Sequence, residues 1–147
     1  MTCVVGAILC LSCKESGPLP ETPDSPARTA EEELKTFQIE SGFEVQLVAS
    51  EPLVESPVMI HFDEDGRLWV VEMRGYMSDI DGSEEKQPVG SVAILEDTDG
   101  DGLMDKRTVY LDSLIMPRAL GLFKNGALVA ENNKLWSTQD LDGDGKA

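Results

Sequence analysis

An all-β fold is predicted for this 147-residue chain on two observations: a duplicated strand–turn–strand pattern, and an acidic loop that recurs with it. Residues 56–72, SPVMIHFDEDGRLWVVE, align without a gap on residues 116–132, MPRALGLFKNGALVAEN. Each copy places apolar residues before and after a turn dipeptide, Asp65-Gly66 in the first and Asn125-Gly126 in the second. Asp-Gly and Asn-Gly between apolar runs are the strongest short-range hairpin signals. Further strands are expected at 89–95 and 107–111 in the first copy and at 134–137 in the second. The turns are 60 residues apart but the acidic loops, Asp97 and Asp140, only 43 apart, which places an insert at about 74–90 of the first copy. Two copies of a four-stranded antiparallel meander with glycine turns are what β-propeller blades consist of. The expected architecture is therefore a β-propeller fragment of about two blades. The second copy stops inside its acidic motif, and the expectation is that most of the ring lies outside this chain.

The elements are taken in chain order. Residues 4–11 are almost wholly apolar, yet too short a run for a bilayer span of about 20 residues. They fit the apolar region of a signal peptide. Ser12-Cys13 follows and resembles a bacterial lipobox, in which the cysteine is lipidated and becomes the new amino terminus. Residues 1–13 are thus expected to be a lipoprotein signal peptide, with lipidation at Cys13 and a location outside the cytoplasm, in the periplasm, outer membrane or cell surface. Residues 14–28, KESGPLPETPDSPAR, are rich in proline and poor in apolar groups, which predicts a disordered tether. Residues 29–147 are expected to be the propeller domain. Thr29-Ala30-Glu31-Glu32 reads as a capping box opening a short helix that runs to about Thr36. Phe43, Val45, Leu47 and Ala49 alternate with Glu44, Gln46 and Val48, the period-2 pattern of a half-buried strand. That strand is expected to belong to the final blade of the ring.

Composition narrows the function. Acidic residues outnumber basic ones 28 to 12, for a net charge of −16, so a nucleic-acid partner is not expected. The three cysteines, Cys3, Cys10 and Cys13, all lie at the amino end, so there is no disulfide framework. Cys10 and Cys13 form a C-x-x-C, but Lys14 stands where a c-type haem site requires histidine.

The acidic loop carries the chemistry. Residues 97–105, DTDGDGLMD, place carboxylates at positions one, three and five (Asp97, Asp99, Asp101), glycine at six, and a carboxylate at nine (Asp105). Ca²⁺ takes about six to eight oxygen ligands, and alternating carboxylates converge when the backbone curls. The Leu103 carbonyl and the Asp105 carboxylate can complete the shell. An EF-hand requires glutamate at position twelve, where this chain has Thr108, and helices on either side, where strands are expected. The loop is read as a calcium site in a β-hairpin. Asp140, Asp142 and Asp144 begin the same pattern in the second copy.

Together, FEVQLVASEPLVESPVMIHFDEDGRLWVVEMRGY and VAILEDTDGDGLMDKRTVY resemble the amino-terminal propeller of the membrane-bound dehydrogenase family of Planctomycetes, Verrucomicrobia and Bacteroidetes. That propeller is similar to soluble quinoprotein glucose and sorbosone dehydrogenases. The resemblance covers about residues 33–147. It implies oxidation of a sugar or related alcohol, with pyrroloquinoline quinone as hydride acceptor. It also implies a cytochrome c domain as electron partner in a carboxy-terminal part. Glu72, Arg74 and Tyr76 match the family motif and could line the mouth of such a site, or form a salt-bridged strand end. His61, the single histidine, sits in an alternating strand and is read as structural. Trp69 and Trp136 are read as core or inter-blade packing. No catalytic residue is assigned. The competing reading is a non-catalytic cell-surface propeller that binds glycan or a protein partner, since one fold hosts both kinds of function. The isolated chain is expected to be inactive.

Overall fold

The computed structural model describes residues 26–147. The signal peptide with Cys13, and all but the last residues of the tether, lie outside the described residues. No helix among them is long and apolar enough to cross a membrane.

Helix α1 (Ala30–Leu34) forms as its sequence dictates. The Thr29 hydroxyl accepts the Glu32 N–H at 3.2 Å, and the Glu32 carboxylate accepts the Thr29 N–H at 2.9 Å. This reciprocal pair satisfies two donors that a helix start otherwise leaves unpaired. The helix ends at Leu34, short of the expected Thr36, and has no buried residue to extend it.

Residues 43–49 do not form the expected strand. Alternation makes a segment amphipathic, but a strand also needs a neighbour to take its backbone hydrogen bonds. Here that pairing is limited to the Val48 carbonyl, which accepts the Met104 N–H at 2.8 Å. Val48, Ala49, Leu53 and Val54 instead lie over Leu68, Val70, Ala93, Leu95 and Met104 as an irregular apolar cover.

The rest is two antiparallel meanders. Strands β1 (Pro57–Phe62), β2 (Leu68–Glu72), β3 (Gly90–Glu96) and β4 (Lys106–Leu114) form the first sheet in that order. Strands β5 (Pro117–Phe123), β6 (Gly126–Glu131) and β7 (Lys134–Gln139) form the second, which has three strands among the described residues. The all-β fold and its two blade-like meanders are thus as expected, and residues 74–89 form the insert as a run of turns.

Register corrects the gap-free alignment. Pro57 pairs with Glu72, and Pro117 with Glu131, each beside a bulge at the same place. At the other end Phe62 pairs with Leu68 across a long turn, whereas Phe123 pairs with Gly126 across Lys124-Asn125. The second hairpin is therefore one residue shorter, and Glu72 corresponds to Glu131 rather than to Asn132.

The two sheets pack face to face, with β5 against β1 and β2. Trp69, Val71, Val92, Ile94, Tyr110 and Leu114 of the first meet Leu120, Ala127 and Val129 of the second. Trp69 and Tyr110 make an edge contact, with ring centroids 4.6 Å apart. Trp69 is thus the inter-sheet residue expected. Trp136 is not core: it stays partly exposed, and its indole N–H donates to Glu131 at 3.0 Å.

Candidate functional site

The two acidic loops curl alike around their first aspartate. Asp97 accepts the N–H of Gly100 at 2.7 Å and that of Gly102 at 2.9 Å. Asp140 accepts the N–H of Gly143 at 2.7 Å and that of Gly145 at 2.9 Å. All four glycines have positive φ, a region in which a side chain is strained, so glycine alternating with aspartate is what lets each loop curl. The backbone N–H groups, that of Gly102 first, hold the Asp97 carboxyl below the ordinary range, and that of Gly145 does so first for Asp140. Both groups are therefore carboxylates at neutral pH.

Asp97, Asp99 and Asp105 each offer an oxygen within 4.8 Å of the others, and so do Asp140, Asp142 and Asp144. Asp101 lies outside the first cluster. Its carboxylate accepts the Leu103 N–H at 2.8 Å, and Leu103 itself is exposed. Asp105 also accepts the Thr98 hydroxyl at 2.8 Å, which fixes it across the loop from Asp99. In the second loop Asp144 accepts the Lys146 N–H at 2.9 Å and still reaches its cluster. Three convergent carboxylate oxygens are a hard-cation donor set.

Glu72 and Arg74 do come together, at the opposite end of β2 from the first acidic loop. Glu72 is buried, and it accepts from Arg74 at 2.5 Å, Arg107 at 2.8 Å, the Ser91 hydroxyl at 2.7 Å and the Glu55 N–H at 3.0 Å. Burial alone would push its carboxyl up. The hydrogen bonds from Ser91, the Glu55 N–H, Arg74 and Arg107 outweigh that and hold it below the ordinary value. Arg74 also faces Glu55 at 3.2 Å. Tyr76 is exposed in the turn that follows and is not drawn into this cluster.

Glu131 repeats the arrangement. It is buried, and it accepts the Ile115 N–H at 2.5 Å, Trp136 at 3.0 Å and Lys134 at 3.2 Å. Each glutamate thus ties the end of the second strand of its sheet to the backbone two residues before the first strand. Sequence reading missed Glu131, Ser91 and Arg107. A glutamate closing an apolar strand in both copies was the available signal, and the gap-free alignment hid it by setting Glu72 against Asn132.

A cleft of about 900 Å³ opens between the sheets on the side of the hairpin turns, with His61, Arg67, Tyr110, Lys124 and Asp140 among its walls. The His61 Nδ1–H donates to the Phe62 carbonyl at 2.7 Å.

The strands, their duplication and the acidic loops lie within residues 29–147, and the family model for a domain of unknown function, DUF7133, matches that whole stretch. The chain belongs to the DUF7133 family. No curated protein matches this DUF7133 chain, and no solved structure does.

Proposed function

We propose that this DUF7133 chain is a calcium-stabilised propeller module of an extracytoplasmic quinoprotein-like dehydrogenase that oxidises a sugar or related alcohol. The observation that carries the calcium half is the duplicated loop, in which three carboxylates converge at equivalent places of two sheets. Packing three carboxylates together raises their mutual repulsion, and a divalent cation removes it. The dehydrogenase half rests on the resemblance of residues 33–147 to the propeller of membrane-bound dehydrogenases. Anchoring through Cys13 and electron transfer to a cytochrome c domain belong to the same reading.

A bound pyrroloquinoline quinone supplies a hydride acceptor, and the protein has to present unengaged polar groups to hold it. Glu72 and Arg74 do not fit that task, because they are tied to each other, to Arg107 and to Glu55. No catalytic step is therefore assigned to them. Their engagement favours the second reading, a non-catalytic surface module that binds glycan or a protein partner.

Calorimetric titration with Ca²⁺ tests the first half. Heat of binding and a raised unfolding temperature are expected, both reduced in an Asp97→Asn, Asp99→Asn variant and lost when Asp140→Asn and Asp142→Asn are added. Dye reduction with pyrroloquinoline quinone and a panel of aldoses tests the second. Calcium binding without dye reduction, together with glycan binding, would move the conclusion to the surface-module reading.

A further inference from the structure

The cleft between the two sheets has a volume of about 900 Å³, within the range of small-molecule sites. Its room has a cause in the sequence. Register places Ala127 and Gly126 on the second sheet where the first has Leu68 and Arg67. Two small residues at that end let the sheets part just beyond their shared core of Trp69, Tyr110, Leu120 and Val129.

The walls are held in place by the fold. One wall is the acidic loop after β7, which runs from the second sheet to the first. The Asp140 N–H donates to the Asn125 carbonyl at 3.0 Å, and the Ala147 N–H donates to the Tyr110 carbonyl of β4 at 2.9 Å. Another wall is the first hairpin turn. There Asp63 accepts the Arg67 Nε–H at 2.7 Å and the Trp69 indole N–H at 2.8 Å. The Tyr110 and Thr138 hydroxyls, 3.1 Å apart, join the two sheets. Such a cleft needs little ordering when a ligand enters, which favours binding.

The lining decides the class of ligand. Lys124 makes no ion pair among the described residues. The His61 Nδ1–H is taken by the Phe62 carbonyl, and Nε2 has no partner among the described residues. Asp140 and Asp142 line the same cleft with charge opposite to that of Lys124, which disfavours a ligand of either net charge. Ile94, Leu122 and Phe123 give the lining an apolar part. A neutral polyhydroxylated ring suits all of these groups. Its hydroxyls donate to carboxylates and accept from the ammonium, and its C–H face covers apolar side chains. We propose that the cleft is a binding site for a neutral saccharide. The proposal rests on the glycan-binding reading above and gives that reading a place in the fold, at the opposite end of β2 from Glu72.

The test is titration of the full chain, carrying Cys13→Ala to prevent lipidation, followed by heteronuclear NMR. The probes are cellotriose, maltotriose and laminaritriose, with trigalacturonate as the charged counterpart. Of the two indoles, Trp69 lines the cleft and Trp136 does not. At least one neutral trisaccharide is expected to move the Trp69 indole signal and the Lys124 and Gly126 amides, leaving the Trp136 indole in place. His61→Ala with Lys124→Ala is expected to weaken that binding about tenfold, as for losing hydrogen bonds of ordinary strength. Both residues are exposed, and an unchanged cooperative melt checks that the variant folds. Trp136→Phe is expected to bind as the parent does. A neutral saccharide that binds the double variant as tightly as the parent overturns the cleft and leaves the glycan reading standing. Failure of every saccharide to bind at millimolar concentration overturns both. Binding of trigalacturonate alone overturns the neutral class.

Discussion

The two sheets carry the same hairpin in different surroundings, and the surroundings decide what each residue does. Ile60 of β1 is 57% exposed while its equivalent on β5, Leu120, is 5% exposed. Both are large, aliphatic and on the same face of the same strand. The difference is that the second sheet has the first stacked on that face, whereas the first has only the cover of 48–54, which reaches β2 and β3 but not the inner strand. The glutamates differ in the same way. Glu72 is met by two arginines, and Glu131 by one lysine that is itself largely exposed. Position in the stack, more than residue type, sets the energetic weight of a side chain here.

The largest expected effect separates the two glutamates. Glu72→Ala leaves Arg107 without its carboxylate and Arg74 with Glu55 alone, and a loss of about 3–5 kcal/mol of stability is expected, as for breaking a buried pair from one side. Glu131→Ala leaves an exposed lysine and two neutral donors, for which about 1–3 kcal/mol is expected. Chemical denaturation of both variants decides, and equal losses would break the distinction. The pH dependence follows from the same site. The Glu72 carboxyl is held below its ordinary value of 4.5, so its contribution is complete above that pH and is lost as pH falls through the lower, folded value. Stability should therefore fall as pH drops below 4.5, and Glu72→Gln should flatten the profile in that range.

An intermediate effect sharpens the packing comparison. Leu120→Ala is expected to cost about 2–5 kcal/mol, as buried leucines do. Ile60→Ala is expected to cost no more than about 0.5 kcal/mol in dilute solution, as exposed positions do. If the Ile60 variant loses more as protein concentration rises, the front face is occupied by another molecule.

A further comparison lies in the hairpin turns. Gly66 has φ of +80° and open space around it, so Gly66→Ala meets only backbone strain, of about 1–2 kcal/mol. Gly126 has ordinary φ, but a Cβ there would lie 2.2 Å from the Thr138 carbonyl, so the same substitution should displace β7. Thermal unfolding ranks the two, and a Gly126 variant no worse than the Gly66 variant would contradict this reading of the shorter turn.

Much of the fold was legible because its signals are local. Asp65-Gly66 and Asn125-Gly126 mark turns through their own backbone preferences, although the second turn sits one residue earlier, on Lys124-Asn125, and Thr29 and Glu32 cap a helix three residues apart. The acidic loops were legible for the same reason, since Asp97 bonds Gly100 and Gly102 within its own loop. What was not legible depends on partners distant in sequence. Residues 43–49 carry a strand's alternation without a strand's neighbour. Arg107 reaches Glu72 across 35 positions. Asp101 and Asp144 accept equivalent backbone N–H groups, yet only Asp144 is brought within 4.8 Å of its neighbouring carboxylates in the cluster.

By itself, then, the sequence determined the all-β class, the turns, the duplication and the two curled aspartate loops. Each of these follows from φ preferences, side-chain alternation or hydrogen bonds that close within a few residues. Only the tertiary structure decided the one-residue offset between the hairpins, the pairing of Glu72 with Glu131 as equivalent clamps, and which apolar faces are covered. Those depend on strand register and on the order in which sheets stack. Register and stacking are properties of residues that meet across tens of positions, where spacing along the chain no longer fixes distance in space.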